Sequence, residues 1–148
     1  MRVVEITTEQ THPLRLAVLR AHTPTTDVTF PEDAWPDTMH LGVLDATGLL
    51  VATSSWVQRD CAEHPGERGV QLRGMATAHA LQGTGIGGLL LEAGIERHRD
   101  LGFDVIWARA RDSALDFYLR HGCTVVGDGF IDDTTQLPHH VVVRRLRR

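Results

Sequence analysis

Between residues 82 and 88 the chain reads Gln-Gly-Thr-Gly-Ile-Gly-Gly, a density of glycine that few places in a fold can use. The cluster follows a β-rich run from about Gly69 to Thr77. It precedes an amphipathic stretch carried by Leu89, Leu90 and Ala93 that ends near Leu101-Gly102, where glycine suits the left-handed position after a helix. Strand, glycine loop and helix in that order let backbone N–H groups converge with the positive end of a helix on an anion, and the missing side chains permit close approach. Pyrophosphate is the natural ligand; a tight connection that holds nothing is the bland alternative.

Two familiar phosphate loops fit poorly. Gly83-x-Gly85-x-x-Gly88 satisfies the dinucleotide fingerprint, but that fingerprint directly follows the first strand of a βαβ unit. Here Ala78-His79-Ala80-Leu81 intervene, and only 60 residues (148 minus 88) remain to complete a doubly wound sheet. A nicotinamide-dependent oxidoreductase is therefore a lesser alternative. The P-loop needs a lysine on the β- and γ-phosphates, and all 15 basic residues of this chain are arginine.

The rest of the chain supplies a mixed sheet. Val3-Val4-Glu5-Ile6 reads as a strand, and Thr11-His12-Pro13 as cap and first turn of a helix with the stripe Leu14, Val18 and Leu19. From Thr23 to Asp37 periodicity vanishes and Pro24, Pro31 and Pro36 punctuate a loop long enough to be a lid or binding loop. Residues 39–45 and 49–57 form a hairpin across Asp45-Ala46-Thr47-Gly48. Phe103 to Ala108 reads as a strand, Ser113 as the N-cap of a short helix through His121 with Ala114, Leu115, Phe117 and Tyr118 on its apolar side, and residues 123–127 and 139–146 as the last strands. The order β-α-β-β-β-α-β-α-β-β, without repeats or a linker, predicts one α/β (α+β mixed) domain over residues 1–148: a mixed sheet covered by helices.

A formal charge of -4 gives no footprint for nucleic acid, and the one basic cluster, Arg144, Arg145, Arg147 and Arg148, reads as a solubilising strand end. Cys61 and Cys123 are the only cysteines, with no secretory apolar region and no run near the ~20 residues a membrane helix needs, so a soluble cytoplasmic protein with no membrane role is expected. Nine histidines raise the question of a metal. No H-E-x-x-H or paired C-x-x-C occurs and Cys61-x-x-His64 is an isolated half-site, so no functional metal is expected.

Gln82-x-x-Gly85-x-Gly87 resembles the Q/R-x-x-G-x-G/A signature of the GCN5-related N-acetyltransferases, and Leu72-Arg73-Gly74-Met75-Ala76-Thr77 stands where that family has a splayed fourth strand. Ala114-x-x-Phe117-Tyr118-x-x-x-Gly122 resembles the family's A-x-x-F-Y-x-x-x-G-F segment, and Pro138-His139 a Pro-His pair on the last strand of one subgroup. The likeness reaches upstream to Phe30-Pro31 and His40-Leu41-Gly42, and so spans nearly the whole chain. Cys123 in place of phenylalanine and Arg109 in place of a frequent asparagine depart from the pattern and leave the acceptor contacts open.

The resemblance implies an acyl-CoA N-acyltransferase fold, a mostly antiparallel mixed sheet with splayed central strands and flanking helices. It implies acetyl transfer from acetyl-CoA to a small-molecule or peptide amine by direct attack on the thioester. Gln82, Gly83, Thr84, Gly85, Ile86, Gly87 and Gly88 would hold the pyrophosphate, and the backbone of Met75, Ala76 and Thr77 the pantetheine arm and thioester carbonyl. Ser113, Phe117 and Tyr118 complete the coenzyme set, with the Tyr118 hydroxyl facing the sulfur as acid. His139 is the candidate proton acceptor beside an ordered water as rival, and Arg73 and Arg111 are candidates for acceptor or coenzyme contacts. A domain that binds the coenzyme without turnover is the alternative from another class. A homodimer is common in proteins of this resemblance.

Overall fold

The structure, a computed structural model, describes residues 1–146. Arg147 and Arg148 of the basic C-terminal cluster lie outside the described residues. A seven-stranded sheet runs in the order β1-β2-β3-β4-β5-β7-β6, with β1 Arg2–Ile6, β2 Met39–Leu44, β3 Leu50–Val57, β4 Gly69–Thr77, β5 Val105–Arg111, β6 Thr124–Ile131 and β7 Pro138–Arg145. Of its six pairings only β4 with β5 is parallel. A doubly wound sheet is parallel throughout its core, so the arrangement leaves no place for the dinucleotide reading of the glycine loop.

Helix α1, Thr8–Leu14, begins three residues before the expected cap. Thr7, not Thr11, caps it: its hydroxyl accepts from the Gln10 N–H while the Gln10 side chain accepts from the Thr7 N–H, a reciprocal box. Pro13 lies inside the helix, where it has no N–H to give and its ring crowds the preceding turn. Two residues later the helix widens into a π turn, Arg15–Leu19.

Helix α2, Ile86–Asp100, crosses β2, β3 and β4 on one face. Its buried side is Ile86, Leu90, Leu91, Gly94, Ile95 and His98, whereas Leu89 is 44% exposed and Ala93 half-buried. The stripe is thus rotated from the expected one. Each fully buried leucine or isoleucine contributes about 1.5–3 kcal/mol relative to exposure, so this face, and not helix propensity in a segment with three glycines, holds α2 down. The indole of Trp56 on β3 fills the groove over Gly94 and stacks on His98 at 5.0 Å between centroids.

The strand after α2 begins two residues later than expected and runs to Arg111. Its alternation divides the sheet: Ile106, Ala108 and Ala110 join the core under α2, while Val105 and Trp107 join a second cluster with Cys61 and Val143 on the other face. Arg109 and Arg111 continue that second face. Ser113 is not an N-cap; it sits within a 3-10 turn, Asp112–Ala114, that leads into α3, Leu115–Arg120. No helix among the described residues is long and apolar enough to cross a membrane.

Candidate active site

Strands β4 and β5 pair only through Gly69 with Val105, Val70 with Ile106 and Gln71 with Trp107. Beyond Gln71 they part, because β4 must follow β3 while β5 follows β7 through Arg111 opposite His139. The opening is a cleft of about 1290 Å³. Its walls include Met75, Ala76 and Thr77 on one side, Arg109 to Arg111, Ser113, Phe117 and Tyr118 on the other, and the glycine loop at one end.

Where the splay starts, β4 carries an extra residue. Thr53 pairs with Ala76 but Ser55 with Arg73, so Gly74 and Met75 together oppose Ser54. Such a bulge leaves peptide groups outside the ladder, and here they border the cleft. Gly74 has φ of 61°, a left-handed conformation that glycine adopts without a Cβ penalty.

The glycine loop divides by role. Gly85 is the N-cap of α2 with φ of 90°, and a Cβ there would meet nothing within 4 Å. Open space in front of it, with unpaired N–H groups in the first turn of a fifteen-residue helix, suits an anion. Gly87 and Gly88 have a packing reason: a Cβ would fall 3.2 Å from the Phe117 ring and 2.7 Å from the His121 ring. Those two glycines admit α3 against the start of α2. Ile86 is buried, so its side chain serves the core. Gln82 donates to the Thr77 carbonyl and Thr84 to the Leu81 carbonyl, so both side chains shape the loop itself.

Tyr118 is 8% exposed and lines the cleft, and its hydroxyl makes no hydrogen bond to any described residue. Burial, with the neighbouring Cys123 thiol adding to it, pushes the phenol well above its ordinary range. The hydroxyl therefore stays protonated and can donate but not accept a proton. Phe117 meets the Tyr118 ring edge-on at 5.2 Å and also borders the cleft. Burial likewise raises Cys123, to about 11, so it is an inert thiol.

His139 enters the same cleft from β7 on the opposite sheet face and is 6% exposed. Its Nδ1 lies 2.8 Å from the Leu137 carbonyl oxygen, which assigns the hydrogen to Nδ1 and leaves Nε2 as an acceptor. Its ring stacks on Phe130 at 5.8 Å. His140 faces the other way and meets Asp112 at 2.6 Å.

A buried polar network on the 23–37 loop escaped the sequence reading. Arg15 is fully buried; it pairs with both oxygens of Asp33 and donates to Ser55 and to the Val28 carbonyl. Ser55 in turn meets His40 Nδ1 at 2.6 Å, and His40 Nε2 reaches Thr8 at 3.0 Å. This network ties the 23–37 loop to β2, β3 and α1. Burial raises the Asp33 carboxyl, but Arg15 and the Phe30 N–H more than offset it and hold it below the carboxylate range. Glu32, also buried, accepts from Arg59 at 3.0 Å and Arg73 at 2.7 Å. The proline-led turn Pro31–Ala34 with two acids in its first residues was the available signal. The Cys61 and His64 half-site is taken up by Glu63 and Glu67, and no group of three or more metal-binding side chains converges among the described residues.

Comparison with known proteins agrees with this geometry. The model of the acetyltransferase (GNAT) family matches residues 6–123. An uncharacterized N-acetyltransferase, YitI of Bacillus subtilis (strain 168), is 25% identical over 148 residues, covering 100% of this chain and 97% of that protein. Among solved structures, a putative N-acetyltransferase from Lactobacillus plantarum superposes with a TM-score of 0.79 at 20% identity, over 99% of this chain and 98% of that one. FeeM, an N-acyl amino acid synthase from uncultured soil microbes, gives 0.82 at 13% identity, over 99% and 95%. An aminoglycoside 6'-N-acetyltransferase complexed with coenzyme A gives 0.75 at 13% identity, over 100% and 98%.

Proposed function

The chain belongs to the acetyltransferase (GNAT) family, and on that premise we propose that it transfers the acetyl group of acetyl-CoA directly to an amine held in the β4–β5 cleft, the whole chain acting as one domain. The observation that carries the reading is the splay itself: β4 leaves β5 after Gln71 and Trp107 beside the glycine N-terminus of α2.

Acetyl-CoA, when bound, would supply the activated acyl thioester, with coenzyme A as the thiol leaving group. The N–H groups at the start of α2, around Gly85, Ile86, Gly87 and Gly88, are the donors for its pyrophosphate, aided by the positive end of the helix. The bulge at Gly74 and Met75 offers N–H groups outside the ladder for the thioester oxygen, where negative charge develops. Tyr118, kept protonated by burial, is the donor for the departing sulfur. His139 Nε2, on the other face of the cleft, is the acceptor for the amine proton, directly or through one water. Tyr118 and His139 reach the cleft from opposite sheet faces, which supports a reading in which the amine gives up its proton on one side while the departing sulfur receives one on the other.

Thermal unfolding with acetyl-CoA, CoA and NADH tests the coenzyme. A ligand at a hundred times its dissociation constant stabilises by about 2.7 kcal/mol, which is several degrees for a chain of this size. Shifts with both CoA species and none with NADH are expected. No shift with either CoA species removes the reading.

A further inference from the structure

The formal charge of the chain is -4, yet the sheet face of the cleft opposite α3 gathers cations. Arg73 comes from β4, Arg109 and Arg111 from β5, and Arg20 from the end of the π turn, and all four border the cleft. Among the described residues Arg20, Arg109 and Arg111 form no ion pair with any carboxylate. The nearby acids are otherwise engaged. Glu32 takes both Arg59 and Arg73, Asp27 accepts from the Thr29 N–H and hydroxyl, and Asp132 accepts from Thr134 and Thr135.

Arg109 stands out. It is exposed on the cleft floor, opposite Val141 in the ladder, with the Phe130 ring 6.0 Å from its guanidinium. Had β4 and β5 stayed paired past Gln71 and Trp107, Arg73 would stand opposite Arg109; the splay sets them on two sides of the gap instead. Arg109 and Arg111 are two residues apart on one strand face, so their Cα atoms are about 6.6 Å apart. Burial first lowers the affinity of Arg73 for its proton; Glu32 opposes that shift without reversing it, and Arg59 and Arg109 add to it. A planar guanidinium fork left open in a cleft is shaped for a two-oxygen anion.

We propose that the acceptor is an amine that also carries an anionic oxygen group, a carboxylate or a phosphate, and that Arg109, with Arg73 and Arg111 beside it, binds that group and sets the specificity. The inference rests on the reading of the cleft as an acetyl-transfer site. It places the amine toward the Gly74–Met75 bulge and the anion toward β5.

The test is acetyl transfer from acetyl-CoA to matched amines: amino acids against their amides, amino sugars against their phosphates, and polyamines. The anionic member of each pair is expected to have kcat/KM at least about tenfold higher, the worth of one charge-assisted hydrogen bond. Whether carboxylates or phosphates lead identifies the source of the anion. Arg109→Gln is expected to raise KM for anionic acceptors about tenfold or more while leaving kcat and the KM for acetyl-CoA near their original values. Arg109→Lys, which keeps the charge and loses the fork, restores part of the difference. Transfer to neutral amines or polyamines at equal or higher kcat/KM overturns the proposal, as does an Arg109→Gln effect that is the same for charged and uncharged acceptors. Binding of CoA with no transfer to any amine overturns the acetyltransferase reading itself, and the proposal with it.

Discussion

A Cβ placed on Gly74 would lie 2.8 Å from Cε2 of Phe30. The bulge in β4 and the 23–37 loop are therefore built against each other: the glycine that turns the strand also makes room for the ring that anchors the loop. The Arg15 and Arg73 guanidinium groups also pack on that ring, at 3.9 Å and 4.3 Å from its centroid, so Phe30 has little freedom to retreat. Gly74→Ala combines a left-handed backbone with a close contact, and a cost of about 1–3 kcal/mol follows. A lowered Tm together with a lowered kcat is expected, measured by thermal unfolding and steady-state kinetics. If both stay unchanged, the bulge has no part in holding the thioester.

Tyr118 separates packing from chemistry. Its hydroxyl bonds no described residue while its ring packs against Phe117 and the core. Tyr118→Phe should leave Tm and the Kd for CoA where they are and lower kcat by about 10²–10⁴, the range for losing a general acid. An unchanged kcat would make the residue a core aromatic and nothing more.

The parts of the fold that were readable in advance are those whose signal is local. The hairpin over residues 39–57 announces itself through Asp45, whose carboxylate accepts from Thr47 and Leu49, and β4 through its apolar run. The glycine loop was readable because α2 needs a left-handed N-cap at Gly85. Family motifs placed Tyr118 and His139, which both border the cleft although they come from opposite sheet faces. What stayed hidden depends on distant partners. Arg15 finds Asp33 eighteen residues on and Ser55 forty residues on, and Arg73 finds Glu32 across forty-one. Nothing local distinguishes a buried arginine from a solvated one. The misplaced caps at Thr11 and Ser113 have another cause: the reciprocal box with Gln10 selects Thr7 for α1, and α3 grows out of a 3-10 turn with Ala114, which has no capping side chain, at its start. Gly74 was visible as an isolated glycine in a strand, a mark of a bulge that only its partner strand could locate.

Gly94 sets two known effects against each other. Alanine in the middle of a helix is favoured over glycine by about 1 kcal/mol. Here, however, a Cβ would fall 1.8 Å from Cζ2 of Trp56, a ring held in place by its stack on His98. Overpacking of a tight core costs about 1–3 kcal/mol or more, so the clash wins. Gly94→Ala is expected to lower Tm by several degrees, since each 1 kcal/mol moves Tm by roughly 2–4 °C at this size. A Tm that holds or rises would mean that the indole can turn aside.

Two buried histidines make stability depend on pH near neutrality. Burial is the largest influence on both His40 and His98 and lowers each below the ordinary value of 6.5. At His40 the charge of Asp33 opposes that shift without reversing it. At His98 the hydrogen bond to the Gly94 carbonyl does the same. Because the folded protein holds these rings neutral, the unfolded chain binds more protons once the pH falls below about 6.5. Their contribution is therefore fully present above that value and is lost as pH falls from there through the lowered folded-state values. Urea midpoints should fall between pH 8 and pH 5, before most carboxylates titrate. Substituting His98→Phe, which keeps a flat ring against Trp56 and cannot take a proton, should flatten part of that slope. An equally steep slope in the variant would mean that His98 is not one of the groups responsible.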